Sequence, residues 1–190
     1  MESKKNANSG YWQYAGSLAY APTGAVTSMQ LGNGRWESTQ FNSRLQPTQI
    51  ALGVTPNSSN LLKLNYSYGT TANNGNVLSQ QIAVLPVGST SGLVANQVYT
   101  YDALNRLRTA EEVISNNQSW KQSFLYDRYG NKSFDEANTT TLPKNCFNNA
   151  VSAMCAADRR VFNPSINASN NRVSTSDNYS FDNIGNVTAD

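Results

Sequence analysis

The chain has 190 residues, a formal net charge of +2, 14% charged residues, 38% apolar residues and no histidine. Without imidazole there is no Ser-His-Asp triad, no Cys-His pair and no histidine metal ligand, and the near-neutral balance lacks the clustered basic face of a nucleic-acid binder. An ordinary soluble domain carries about 25% charged and about 45–50% apolar residues; here Asn, Ser and Thr fill the gap, making up about a third of the chain.

Aromatic residues account for 10% of the sequence, ten of them tyrosines, which is more than a polar disordered tail contains. An ordered protein with a thin core is expected. The first eight residues, Met1-Glu2-Ser3-Lys4-Lys5-Asn6-Ala7-Asn8, are polar and lack the apolar core of a signal peptide. Residues 1–19 form an N-terminal segment set apart from 20–190. No run of 18 or more apolar residues occurs, so no membrane-spanning helix is expected. These features suit a cytosolic protein or an internal piece of an exported one.

Along the chain, Leu62-Lys63-Leu64-Asn65-Tyr66-Ser67-Tyr68 alternates with period two, placing Leu62, Leu64, Tyr66 and Tyr68 on one face of a strand. Residues 98–101 and 119–126 are rich in aromatic or β-branched side chains and also read as strands. Two stretches are candidate helices, residues 40–45 and 104–114; for the second a strand-turn-strand reading is preferred. Residues 86–92 form a turn-rich connector. Residues 135–160 have no sustained period and read as an irregular surface insertion with a short helix near 150–157. That stretch holds both cysteines, Cys146 and Cys155, whose spacing fits no zinc knuckle or CxxC pair; a small disulfide loop and two unpaired thiols both remain open.

Four segments share one pattern: Tyr20-Ala21-Pro22-Thr23-Gly24-Ala25-Val26, Tyr101-Asp102-Ala103-Leu104-Asn105-Arg106-Leu107, Tyr126-Asp127-Arg128-Tyr129-Gly130-Asn131-Lys132 and Phe181-Asp182-Asn183-Ile184-Gly185-Asn186-Val187. Weaker echoes begin at Phe41-Asn42, at Tyr68-Gly69 leading to Asn74-Gly75-Asn76, and at Asn170-Asn171. The pattern describes a hairpin. The aromatic ends a strand with its ring on the buried face, the Asp bonds backbone amides ahead of it, Gly or Asn supplies a positive φ, and an aliphatic residue opens the returning strand. The resulting fold class is all-β: an antiparallel strip of hairpins.

With histidine absent, carboxylates are the remaining acid-base candidates. Asp102, Asp127 and Asp182 occupy equivalent turn positions, so a structural role accounts for all three. Glu111-Glu112 and Asp135-Glu136 are adjacent pairs, and neighbours on a strand point to opposite faces, so neither is a ready acid-base couple. No catalytic, metal or cofactor site is expected. Tyr11, Trp12, Tyr14, Trp36 and Trp120, beside many amides, could stack on glycans; as core of a sheet poor in Leu and Ile they need no ligand. Arg159-Arg160 reads as a solvated pair.

The segments beginning at Tyr101, Tyr126 and Tyr179 resemble the YD repeat of bacterial RHS proteins, a family that includes the C component of insecticidal toxin complexes and the animal teneurins. Residues 24–37 and 41–48 resemble the linkage between such repeats, so the resemblance spans residues 20–190. It implies that Tyr20, Gly24, Tyr101, Asp102, Asn105, Arg106, Tyr126, Asp127, Gly130, Asn131, Phe181, Asp182, Gly185 and Asn186 are structural repeat positions. It also implies a non-enzymatic role in a curved or spiralling sheet, part of a hollow shell that encloses a toxic C-terminal polypeptide. The partners would be the rest of that shell and the enclosed toxin, and the location would be secreted or at the cell surface. The family's self-cleaving aspartates match no position here, and the sequence stops within a repeat, so a fragment of the shell wall is expected. The alternative is a carbohydrate-binding surface module using the same strip and its aromatics. Unpaired edges of an open strip favour self-association of the isolated segment.

Overall fold

Short alternating stretches punctuated by Asn, Asp and Gly have no means of sustaining a helical stripe, and in the computed structural model they fold as strands. The structure describes residues 2–5, 11–141, 163–177 and 179–189, with 2–5, 11 and 12 described by their backbone alone. Ten strands form one antiparallel sheet whose order is the chain order: β3 (Ala15–Tyr20), β4 (Val26–Leu31), β5 (Trp36–Phe41), β6 (Pro47–Gly53), β7 (Leu62–Ser67), β8 (Ser79–Val84), β9 (Leu93–Tyr101), β10 (Leu107–Ile114), β11 (Asn117–Tyr126) and β12 (Lys132–Phe134). Three two-stranded pairs accompany it, joining β1 (Glu2–Lys5) to β2 (Tyr11–Gln13), β13 (Ile166–Asn167) to β14 (Arg172–Val173) and β15 (Ser180–Phe181) to β16 (Val187–Ala189). The helical content of the described residues is one 3-10 turn, Thr175–Asp177.

The chain divides into two compact units, one comprising Met1–Thr100 and Glu111–Ser119, the other Tyr101–Ala110 and Trp120–Asp190. In the first unit the register gives the sheet two unlike faces. One carries the rows Ile50–Leu64–Ile82–Ala95 and Leu52–Leu62–Val84–Leu93, one residue per strand from β6 to β9. The other carries Ala51, Lys63, Ala83 and Val94 in one row and Gln49, Asn65, Gln81 and Asn96 in the next. Burial is shallow throughout. The buried apolar residues are Ala51, Tyr68, Ala83, Ala95, Ala110 and Phe124, and no large side chain among the described residues is fully enclosed.

The second unit centres on Phe124 and Phe134, opposite each other on β11 and β12 with ring centroids 5.1 Å apart, and the Lys132 ammonium lies 4.9 Å from the Phe124 ring centre. Beyond β12 the chain stays on β11 through backbone and hydroxyl bonds together: Asp135 N–H donates to the Ser123 carbonyl at 2.8 Å and Thr140 N–H to the Lys121 carbonyl at 2.9 Å. Ser123 N–H donates to Thr139 Oγ1 at 3.0 Å and Lys121 N–H to Thr140 Oγ1 at 2.9 Å. At Phe134 the Asn163 side chain behaves as a strand would, accepting the backbone N–H at 2.6 Å and donating to the carbonyl at 3.0 Å.

Six turns among the described residues share one backbone closure. The first residue donates its N–H to the carbonyl four residues on and accepts the N–H three residues on; the pairs begin at Ala21, Leu31, Asn42, Asp102, Asp127 and Asp182. The fourth residue always has positive φ: Gly24, Gly34, Leu45, Asn105, Gly130 and Gly185. This is the three-residue hairpin loop that ends in a left-handed residue. The β10–β11 hairpin instead uses a two-residue tip, Ser115 and Asn116, both at positive φ.

The expected helix over residues 40–45 is therefore replaced by the end of β5 and a turn. Asn42 Oδ1 accepts the N–H groups of Arg44 (2.9 Å) and Gln46 (3.1 Å), offering the backbone a local alternative to helix. The expectation that each repeat aromatic faces the interior fails at Tyr20, which is 59% exposed; it ends β3, a strand with a single partner. Residues 104–114 form a turn and β10, and residues 86–92 hold only an isolated bridge between Val87 and Thr90. Cys146, Cys155, Arg159, Arg160 and the short helix near 150–157 lie outside the described residues.

Leu45 at φ 61° sits in a region that costs an L-residue with a Cβ about 1–2 kcal/mol. Leu45→Asn is expected to raise stability by about 0.5–1 kcal/mol, read as a higher urea midpoint; an unchanged or lower midpoint would show that the exposed leucine packs usefully.

Candidate functional site: the turn side chains and the aromatic positions

In the turns that begin with a carboxylate, one oxygen gathers the backbone and the other holds a side chain. Asp102 Oδ1 accepts the N–H groups of Leu104 and Arg106, both at 2.9 Å, while Oδ2 pairs with Arg106 Nε at 2.7 Å. Asp127 repeats this with Tyr129 (2.8 Å) and Asn131 (2.9 Å) on Oδ1 and the Asn131 amide on Oδ2 at 2.7 Å. Asp182 takes Ile184, Gly185 and Asn186 N–H on Oδ1 at 3.0, 2.7 and 2.8 Å, and the Asn186 amide on Oδ2 at 2.8 Å. Gly185 is also packed closely: a Cβ there would collide with the Arg172 guanidinium.

These donors favour the ionised form. The Arg106 backbone N–H, aided by the Arg106 guanidinium and the Leu104 backbone N–H, holds the Asp102 carboxyl below the usual carboxylate range. The Asn131 and Asn186 side-chain amides lead the same effect at Asp127 and Asp182. A carboxylate held ionised with both oxygens engaged is a poor proton donor, and in this geometry all three serve as turn clamps.

The next aromatic in the chain ties one hairpin to another. Tyr126, immediately before its own turn, donates its hydroxyl to the Leu107 carbonyl at 2.8 Å, five residues after Asp102. Tyr68 does the same to the Pro47 carbonyl at 3.1 Å, five residues after Asn42. Burial, with Tyr66 nearby, pushes the Tyr68 phenol up and keeps it a donor at neutral pH. The Arg106 guanidinium stacks 4.4 Å from the Tyr126 ring centre, and Arg172 lies 5.4 Å from that of Phe181.

The aromatics considered for glycans are dispersed. Tyr14 is 58% exposed, Trp36 is half-buried on β5 opposite Gly53, and Trp120 is half-buried on β11 in the other unit. The side chains of Tyr11 and Trp12 lie outside the described residues. In the second unit an open cleft of about 640 Å³ is lined by Tyr126, Tyr129, Arg128, Lys132, Pro164 and Ile166, without Trp120. The paired carboxylates also separate: Glu112 accepts from Gln97 and Glu111 from Gln118, while Asp135 takes Asn138 and Glu136 takes Asn163. No group of three or more acidic or Cys residues is placed to hold a metal among the described residues.

Sequence reasoning under-weighted the turns at Leu31 and Asn42. Asn33-Gly34 and the Asn42 to Gln46 spacing were the signals, the second hidden by Leu45 where Gly or Asn usually stands.

No protein-family model matches the chain, and no curated protein matches it. Among solved structures, the Tc holotoxin pore of Photorhabdus luminescens with a mutated TccC3 superposes at a TM-score of 0.53 over 69% of this chain and 7% of that one, with 19% identity. The chain has the RHS-repeat fold. The crystal structure of TcdB2-TccC3-TEV covers 87% of this chain and 10% of its own at 12% identity and a TM-score of 0.37. The chain thus spans a small part of either structure, and the likeness to the holotoxin is one of fold.

Asp127→Asn retains the Oδ1 acceptor, as Asn42 does natively, and is expected to melt closer to the wild type than Asp127→Ala. The folded-state pKa values of Asp102, Asp127 and Asp182 lie below that of an unfolded Asp, about 3.9. Their stabilisation is therefore complete above that pH, declines below it and is gone once pH has fallen through the folded values. Urea midpoints at pH 6 and pH 3 should differ more in the wild type than in a variant with all three changed to Asn; an equal difference would overturn this account.

Proposed function

We propose that this RHS-type segment forms part of the wall of a shell that encloses a toxic C-terminal polypeptide of the same protein, without catalysing a reaction. The observation that supports this most is the sheet order: ten strands follow one another in chain order, and each terminal strand, β3 and β12, has one partner in the sheet. Such a meander is extended by adding hairpins at either end, as a wall built from repeats requires. Its faces differ, one apolar in rows and one lined with amides, as for a layer that separates two environments. The turn carboxylates are committed to the backbone, in keeping with a structural role. A secreted or cell-surface location belongs to the same reading.

The test is protease protection of the complete gene product. Its C-terminal polypeptide should survive protease concentrations that degrade the same polypeptide expressed alone, followed by mass spectrometry. Equal digestion of the two overturns enclosure.

The 190-residue segment by itself, with half-exposed apolar rows and with β3 and β12 each paired in the sheet on one side, is expected to self-associate. Light scattering after size exclusion reads this directly, and a monomer at all concentrations would count against an open sheet.

A further inference from the structure

The dipeptide Asn-Gly occurs twice in the chain, at Asn33-Gly34 and Asn74-Gly75. In this pair an asparagine amide is most open to attack by the next residue's backbone nitrogen, because glycine has no Cβ to stand in the way. Both pairs are exposed, and both glycines have positive φ, 79° and 98°. A Cβ built on either glycine would meet nothing within 4 Å, so the surroundings of the two are equally open.

Each asparagine also has its side-chain oxygen held from two residues ahead: Arg35 N–H donates to Asn33 Oδ1 at 3.0 Å and Asn76 N–H to Asn74 Oδ1 at 3.1 Å. When the nitrogen adds to Cγ, charge develops on that oxygen, and a donor already aimed at it stabilises the tetrahedral intermediate. Asn42, Asn73, Asn167 and Asn170 have the same contact, but Ser43, Asn74, Ala168 and Asn171 follow them, each with a side chain beside the attacking nitrogen.

The two pairs differ at the nitrogen. Gly34 N–H donates to the Leu31 carbonyl at 2.8 Å, one of the two backbone bonds that close the β4–β5 turn. Turning that nitrogen toward Cγ opens the hairpin. Gly75 N–H donates instead to a side chain, Asn73 Oδ1 at 2.9 Å, inside the connection of residues 68–78 between β7 and β8. Asn73 Oδ1 also accepts from Gln46 Nε2 at 3.1 Å, so it keeps a partner when Gly75 turns away.

We propose that Asn74 is a self-modification site, converted to aspartate and isoaspartate through a succinimide. The Gly75 nitrogen, having given its proton to hydroxide, forms a bond to Asn74 Cγ while the carbonyl electron pair moves onto Oδ1. Collapse breaks the Cγ–Nδ2 bond, and Nδ2 leaves as ammonia with a proton from water. A second water opens the ring at either carbonyl, giving aspartate, or isoaspartate with the chain routed through Cγ. The net reaction exchanges an amide NH₂ for a carboxylate, consuming one water and releasing one ammonia. Residues 68–78 hold no Asp or Glu beforehand. The new anion appears in an open cleft of about 620 Å³ whose lining includes Arg44, Thr70 and Asn74, and Arg44, which donates to the Asn73 carbonyl, is the cation there. The site is independent of enclosure, so neither proposal falls with the other.

The test incubates the full chain at pH 8 and pH 5, folded and in urea, and follows it by isoelectric focusing and by peptide mapping with an isoaspartate-specific methyltransferase. In the folded chain at pH 8, Asn74 should convert first and give a more acidic species, with Asn33 behind by about tenfold or more. The reaction should slow at pH 5, where hydroxide is scarcer. In urea, where Gly34 loses its turn, the two rates should converge. Asn74→Gln should remove the early acidic species, and Asn33→Gln should leave its rate unchanged. Conversion of Asn33 as fast as Asn74 in the folded chain overturns the inference. So does a rate gap that survives in urea, an acidic species that forms as fast in Asn74→Gln, or a folded chain that stays unmodified while the chain in urea converts.

Discussion

A side-chain oxygen that accepts backbone N–H groups two and four residues ahead holds the corners at Asn42, Asp102, Asp127 and Asp182. The rest of the structure depends on this. A sheet with a shallow core has little burial with which to choose a register, and a slip of one residue would move every side chain to the wrong face. Closing each loop at a fixed length sets the register locally, so the faces stay sorted although neither is deeply buried. Where the first residue has no oxygen, at Ala21 and Leu31, the same backbone closure survives and the glycine at the fourth position supplies the conformation.

The turns at Asp127 and Asp182 were legible in the sequence because every determinant, the carboxylate, the left-handed glycine and the asparagine that clamps Oδ2, falls within five residues. At Asn42 the hairpin pattern is only a weak echo, and a helix over 40–45 competes with it, for the complementary reason: Leu45 occupies the left-handed position, and no propensity rule anticipates a leucine there. The exposure of Tyr20 was hidden because it depends on β3 having one neighbour, a fact about pairing and not about Tyr20. The amide row was out of reach altogether. Gln49, Asn65, Gln81 and Asn96 become neighbours only once three consecutive registers are known, and in the sequence they are ordinary polar residues in an amide-rich chain.

The unusual composition follows from these two features. Hairpin corners consume Asn, Asp and Gly, and a polar sheet face built of Gln, Asn and Ser needs neither Lys nor Glu for solvation. Hydrogen-bonding side chains even take over backbone tasks: the hydroxyls of Thr139 and Thr140 accept N–H groups of β11 beside the backbone bonds there, and the Asn163 amide stands in for a strand at Phe134.

Strand order that never departs from chain order has a kinetic consequence. Each strand pairs with the one made just before it, across a loop a few residues long in most cases, so contact order between neighbours is low and little loop entropy opposes pairing. A hairpin closes in about 1–10 μs, while a ribosome adds about 5–20 residues per second. A strand and its corner therefore take on the order of a second to emerge and a minute fraction of that to pair. The sheet grows in step with translation, and at any moment it ends on one side at β3, which stays fixed, and on the other at the newest strand, which the next hairpin covers.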